Sequence, residues 1–212
     1  MFADIPLFVL AVTVCMYWST VLGMVAYKRL RYGRSAGLVP RNRFERRLWR
    51  IILPVVGAWI ALPVLAATTA SPFLGLPEWA RDAGLAFGIR CAAATVAVAC
   101  YLLSVYCWWS LGRNWSMAIV PKQTQQLVTA GPYRYVRHPI YGLSVTLMLA
   151  SAVVLPIVPM AVVACFHLIA MNLKASHEEK HLTESFGTQY VQYCRTAGRF
   201  WPRWTSASAM RQ

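Results

Sequence analysis

Acidic residues are scarce: seven Asp and Glu stand against 21 Lys and Arg in 212 residues, and charged residues of both signs make up only 13%. With 58% of the chain hydrophobic, this excludes a water-soluble domain of ordinary build, which needs more polar surface than that to cover its core. The six cysteines include no Cys-x-x-Cys pair. Cys15, Cys91, Cys100, Cys107 and Cys165 sit in apolar runs and Cys194 in the polar tail, which excludes a thiolate metal cage or a disulfide framework and leaves them as packing residues. Also missing is a Gly-x-Gly-x-x-Gly turn after a strand, or any alternation of strand and helix patterns, so a soluble nucleotide-binding sheet is excluded. The formal charge of +14 would suggest nucleic acid in a soluble protein, but the basic residues fall between long apolar runs. Membrane lipids, and no nucleic acid, are the expected partners of that charge.

What the chain has in abundance is length without charge. Runs at 5–27 and 51–71 carry no formal charge, a run at 83–111 carries only Arg90, and one at 140–173 again carries none. Crossing ~30 Å of hydrocarbon takes about 20 apolar residues. The first run has no basic segment before it and exceeds a signal peptide's core, so it is expected to stay as a spanning helix. Arg90 lies about two turns inside the third run, within reach of headgroups or an interior partner. The fourth run is too long for one crossing. Pro156 and Pro159 divide it, predicting a tight turn between two arms of about 15 residues each, short for a full span. The fold class expected is an all-α integral membrane protein of about five transmembrane helices, the last two a short proline-broken hairpin, followed by a helical C-terminal tail. As one membrane domain over 1–212, it divides into three spans within 1–111, with a basic loop at 28–50, a catalytic region at 112–204 and a disordered end at 205–212.

Lys and Arg fix the expected orientation. Nine fall in 28–50, four in 112–139 and six from 174 onward, which makes 19, against Arg81 and Arg90 on the other side. The N-terminus is expected outside, with the first loop, third loop and tail in the cytoplasm of a bacterial inner membrane or endoplasmic reticulum.

Two of those basic-side segments flank the hairpin. In the first, 127–142, Pro139 suits the opening turn of a helix, which places Arg137 and His138 at a positive helix end, a site for an anion. His138 and Tyr141 lie three apart, on one face. In the second, 174–202, Lys174, Glu178 and His181 share a helical face, and Glu178 and Glu179 are two of only three acids after Asp82. Carboxylates that scarce in basic surroundings suit ribose hydroxyls or an ammonium group.

The run from Gly131 through Tyr133, Arg137, His138, Pro139 and Tyr141 to Gly142 resembles the isoprenylcysteine carboxyl methyltransferase family and its phospholipid N-methyltransferase relatives. So do the Glu178–Glu179 pair, its continuation to Tyr193, the Arg199-Phe-Trp-Pro202 end and the earlier Leu111-Gly-Arg-Asn-Trp-Ser116 segment. The resemblance covers roughly the C-terminal half, and the first two spans are generic. It implies an S-adenosylmethionine-dependent methyltransferase acting at the cytoplasmic membrane face on a lipophilic substrate that enters from the bilayer. The resemblance assigns cofactor binding to Gln125, Gln126, Leu127, Val128, Tyr133, His138, Pro139, Ile140, Tyr141 and Glu178. Lys174 stands where the isoprenylcysteine enzymes place a substrate-contacting arginine; it keeps the charge and loses the bidentate fork. Arg137 is expected to align the acceptor and Glu179 or His181 to take a proton from an amine acceptor, with no metal required.

Three other readings compete. His177-Glu178-Glu179-Lys180-His181 matches the zinc-protease pattern His-Glu-x-x-His, but no third ligand follows from another element. Sterol-type reductases using NADPH have a similar Arg-His-x-x-Tyr segment. A non-catalytic membrane protein on the same scaffold is the third. Among the remaining polar residues, His167 is expected to be a hydrogen-bonded core residue and Trp115 a pocket wall.

Overall fold

The computed structural model describes residues 4–32, 43–69, 71–81, 84–112, 115 and 127–203; Gln125, Gln126 and the 205–212 end lie outside them. Seven α-helices follow in chain order: α1 Ile5–Tyr32, α2 Arg43–Thr68, α3 Glu78–Arg81, α4 Leu85–Leu111, α5 Pro139–Val154, α6 Val158–Phe186 and α7 Thr188–Thr196, with no strand among the described residues. Four of them, within Ile5–Arg31, Arg43–Thr68, Leu85–Leu111 and Val158–Phe186, are long and apolar enough to cross a membrane. Phe8, Leu22, Leu102 and Ile169 on these helices are each more than half exposed, a pattern that hydrocarbon solvates and water does not.

The last helix pair departs from the expected pair of short arms. α5 has 16 residues, but α6 is one continuous helix of 29 that runs through Lys174, Glu178 and Glu179 to Phe186. The sequence places the end of the apolar run at Leu173, yet Lys-Ala-Ser-His-Glu-Glu-Lys-His-Leu consists largely of good helix formers, so the helix continues where the hydrophobicity stops. Leu155, Pro156 and Ile157 turn the chain between the two.

α4 packs along α5, α1 against α2 and α4, and α2 against α6. Their shared core holds Leu10, Val14, Trp59, Leu147, Met148, Val154 and Met160. At one end Arg90 staples four pieces of chain: its guanidinium meets both carboxylate oxygens of Asp4 at 2.7 and 2.8 Å, the Ala80 carbonyl at 3.2 Å and the Val154 carbonyl at 2.8 Å. The interior partner expected for Arg90 is therefore Asp4. Because Asp4 and Arg90 sit at helix starts and Val154 at a helix end, the C-terminus of α1, the start of α2, the C-terminus of α4 and the start of α5 gather at the opposite end, here called the basic end.

Candidate active site

At the basic end the chain is hooked onto its own tail. Gly131, at φ +60°, takes a left-handed turn that favours glycine and opens a short 3-10 turn over Gly131–Arg134. Residues 135–138 then run alongside 197–199. Gly198 N–H donates to the Tyr135 carbonyl at 2.9 Å, Arg137 N–H to Gly198 at 2.8 Å and His138 N–H to Arg199 at 2.9 Å, with a single parallel bridge between Val136 and Gly198. Pro139 opens α5 behind His138. A Cβ on Gly142 would lie 2.2 Å from the Phe200 carbonyl oxygen, so only glycine lets the tail cross α5 this closely. Tyr193 of α7 donates its hydroxyl to the Tyr133 carbonyl, tying the 3-10 turn to the tail from the other side.

The twin carboxylates are successive on α6 and so point about 100° apart. Glu179 faces the tail. One of its oxygens accepts from Arg137 Nε at 3.2 Å and Nη2 at 3.1 Å, and the other lies 3.2 Å from Arg199 Nε. His138 Nε2 is 3.3 Å from the first oxygen but is not aligned for a hydrogen bond. The remaining Arg137 donor, Nη1, grips the Ala197 and Cys194 carbonyls at 2.6 and 3.2 Å. The anion expected at the positive start of α5 is thus the protein's own Glu179. Arg199 is a clamp as well, reaching Asn172 Oδ1 at 2.8 Å and Ser176 Oγ at 2.6 Å.

Glu178 faces inward instead. It accepts from the Tyr141 hydroxyl at 2.9 Å and lies 3.7 Å from His138 Nδ1. The His138 and Tyr141 rings stack with 5.4 Å between centroids and 9° between planes, and Lys174 Nζ stands 5.3 Å from the Tyr141 centroid.

These side chains form one wall of a cavity of about 250 Å³. His181, Glu178, Lys174, Met171 and His167 descend α6 on one face at three- and four-residue steps, and all line it. At roughly 1.5 Å per residue the stripe is about 21 Å long. Its floor is Ser144 with His167, joined Oγ to Nε2 at 3.0 Å and both buried; as expected, His167 is a hydrogen-bonded core residue. Tyr17 and Trp18 of α1, Glu45 and Trp49 of α2, Trp108 of α4 and Trp115 close the opposite side. Two buried donors in this lining, Trp18 Nε1 and the Tyr133 hydroxyl, have no hydrogen-bond partner among the described residues. Burial above all, with Cys107 and Glu178 nearby, pushes the Tyr133 phenol far above its ordinary range. It therefore remains an O–H donor at any physiological pH. Burial likewise raises Tyr193 to about 12, which preserves its bond to the Tyr133 carbonyl.

Of the residues singled out from sequence, Tyr133, Arg137, His138, Pro139, Ile140, Tyr141, Lys174 and Glu178 line this cavity, as does Trp115. Leu127 and Val128 do not; Leu127 packs instead on the cluster of Tyr190, Tyr193 and Ala197. Glu179 is also absent from the lining, with both oxygens engaged by Arg137, His138 and Arg199. Arg137 reaches the cavity edge, but its fork is occupied by Glu179 and the end of α7, which makes it a positioning group. His177 and His181 line the cavity without forming, among the described residues, a group of three that could hold a metal; the His177 ring sits 4.7 Å from that of Phe44.

Sequence reasoning missed the α1 and α2 wall altogether. Two signals for it existed. Glu45 is the single acid within the nine cations of 28–50, and Tyr17 and Trp18 lie mid-run in 5–27, too deep for an interfacial belt.

Residues 92–184, from the second turn of α4 almost to the end of α6, match the Isoprenylcysteine carboxyl methyltransferase (ICMT) family. That family is one of membrane methyltransferases, in keeping with four helices of spanning length. No curated protein matches the chain.

Proposed function

We propose that the cavity binds S-adenosylmethionine at the basic end and that the protein transfers its methyl group to a lipophilic acceptor admitted from the bilayer. The observation that carries this is the convergence of the 131–142 hook and the inward-facing Glu178 on one cavity, 37 residues apart in the Tyr141–Glu178 bond alone. The donor set fits such a cofactor. Glu178, fixed by Tyr141, offers a carboxylate to ribose hydroxyls or an ammonium. The orphaned Tyr133 hydroxyl offers a hydrogen bond in a lining that also holds Pro139 and Ile140, apolar residues against which a flat base can lie. Bound there, S-adenosylmethionine supplies an electrophilic methyl group on sulfur. The protein's share is to hold donor and acceptor in line and dry, which is where most of the acceleration in such a transfer lies. Lys174, on the same face as Glu178, is placed to meet the acceptor.

In this reading α5 is the fifth crossing, the N-terminus is outside and the basic end is cytoplasmic, supported by the 19 to 2 division of Lys and Arg. At 16 residues α5 spans about 24 Å, short of ~30 Å of hydrocarbon. Equilibrium binding of radiolabelled S-adenosylmethionine to the detergent-solubilised protein tests the proposal. Saturable binding that Glu178→Ala removes is expected, and undiminished binding in that variant would displace the cofactor from this cavity.

A further inference from the structure

At the inner end of the cavity, away from the cofactor as placed above, three helices bring polar side chains into the apolar interior. They are Tyr17 of α1, Ser144 of α5 and His167 of α6, each more than nine-tenths buried. A polar group at that depth has no bulk water to turn to, so its hydrogen bonds must be found within the protein or a ligand. Among the described residues, α1, α4 and α5 carry four buried serine and threonine hydroxyls. Three of them return to the carbonyl four residues back in their own helix: Thr13 to Val9 at 2.7 Å, Ser104 to Cys100 at 2.7 Å and Ser151 to Leu147 at 2.8 Å. That is how a hydroxyl satisfies itself inside an apolar helix. Ser144 is the exception. Its Oγ lies 3.0 Å from His167 Nε2, and the Tyr17 hydroxyl stands near it. Behind the imidazole, the buried Trp59 ring, 5.0 Å away between centroids, seals the floor. The open side of the polar pair is the cavity.

The Ser144–His167 bond consumes one hydrogen. A serine oxygen offers one donor and two acceptor sites, so in either imidazole tautomer the pair keeps capacity to spare. A ligand ending in a methyl group leaves that capacity against hydrocarbon, which is costly for a buried polar group. A hydroxyl donates and accepts at once and meets it in either tautomer. An ion does not suit the place, because charge at that depth is expensive to bury without a counter-charge. Between this floor and Lys174 the lining is apolar, with Met171 on α6, Val21 on α1 and Ile52 and Leu53 on α2. Leu53 is 58% exposed, so this middle section also borders the bilayer.

We infer that the methyl acceptor carries, at the far end of an apolar body, an uncharged hydroxyl, and that Ser144, held by His167, receives it. This rests on the methyl-transfer reading above and deepens it. The reacting end meets Lys174, and the seven residues from Lys174 down α6 to His167 set the hydroxyl about 10 Å from it. The apolar body lies against Met171, Val21, Ile52 and Leu53 in between. Discrimination falls on competitors whose tail reaches the floor without a group to offer it.

The test uses the full chain in detergent with tritiated S-adenosylmethionine and three pairs of probes: octanethiol with ω-hydroxyoctanethiol, octylamine with ω-hydroxyoctylamine, and octanoate with ω-hydroxyoctanoate. Each pair is alike at the reacting end and differs in the far hydroxyl. In the pair that takes label, the KM ratio is expected to favour the hydroxylated member about tenfold more in the wild type than in Ser144→Ala, the size of one hydrogen bond. His167→Leu should lose the preference too, because it frees the serine to turn back on the Ile140 carbonyl, as Ser104 does on its own helix. Partition into detergent is common to all three proteins, and a merely structural defect shifts both members of a pair together, so neither moves the ratio between proteins. The same ratio in wild type and Ser144→Ala, or no label in any of the six probes from protein that binds the cofactor, overturns the inference. Wild-type protein that binds no S-adenosylmethionine brings down the methyltransferase reading, and the inference falls with it.

Discussion

Replacing Gly142 by alanine puts the hook and tail under a defined load. The added methyl carbon would sit 2.2 Å from the Phe200 carbonyl oxygen, about 1 Å inside contact distance, and the obstacle is backbone, which no rotamer change relieves. The tail must lift. Lifting it strains the three main-chain bonds that join Gly198 to Tyr135, Arg137 to Gly198 and His138 to Arg199. At a net 0.5–1.5 kcal/mol each, their loss costs about 1.5–4.5 kcal/mol, while alanine's advantage over glycine inside a helix returns roughly 0.5–1 kcal/mol. The balance, about 0.5–4 kcal/mol, raises the population with a released tail by roughly two- to a thousandfold. Trypsin reports it, because Arg195, Arg199 and Arg203 all lie in the tail. Cleavage there should accelerate in Gly142→Ala, and cofactor affinity should fall with it, since Tyr133 and His138 lose their anchors. Gly57→Ala is the control: nothing lies within 4 Å of its added carbon, so its tail should be cut at the wild-type rate. Equal cleavage of the two variants would refute the reasoning that the tail's docking depends on this close approach.

His138→Ala should abolish cofactor binding in protein that remains folded in detergent, because it removes the ring stacked on Tyr141; unchanged affinity by equilibrium dialysis would count against the site. Tyr141→Phe deletes the 2.9 Å bond to Glu178 and should weaken cofactor binding about tenfold, the lower range for a hydrogen bond to a partly solvated charge. Asp4→Asn leaves the Arg90 guanidinium buried without its counter-charge and should cost roughly 3 kcal/mol, seen as a lower melting temperature. Adding Arg90→Met to Asp4→Asn should recover much of that loss, and a further drop in the double variant would deny the staple. Arg137→Lys keeps the charge but gives up the fork on Ala197 and Glu179, so tryptic release of the tail should respond more than cofactor affinity.

Much of the helical architecture was legible because one signal, apolar length, dominates in a membrane. The runs at 5–27, 51–71 and 83–111 correspond to α1, α2 and α4, and helix ends could be off by several residues without harm. The extent of α6 was less legible, since hydrophobicity reports where lipid ends and backbone propensity decides where the helix ends. Within the site, the residues on short local patterns came through. Tyr133, His138, Pro139, Tyr141 and Glu178 do meet at one cavity. Helical spacing already set Glu178 on the face of Lys174 and His181; what it did not give is that Glu179, about 100° away on the packed helix, turns to Arg137, Arg199 and the tail. Glu45, Tyr17 and Trp18 were out of reach for a different reason. Their role comes from packing between α1, α2 and α6, and no spacing within any one of these helices encodes it.

The division of the cavity has an evolutionary corollary. The side lined by residues 133–182 lies within the 92–184 stretch that matches the family, as do Trp108 and Trp115 of the facing side, whereas the rest of that side, from Tyr17 to Val56, lies outside it. On the function proposed above, mutations in the first two helices should reshape what is methylated while leaving the methyl donor's berth intact. Chimeras that graft this N-terminal pair onto the matching stretch of a protein of that family should therefore carry the graft donor's acceptor preference.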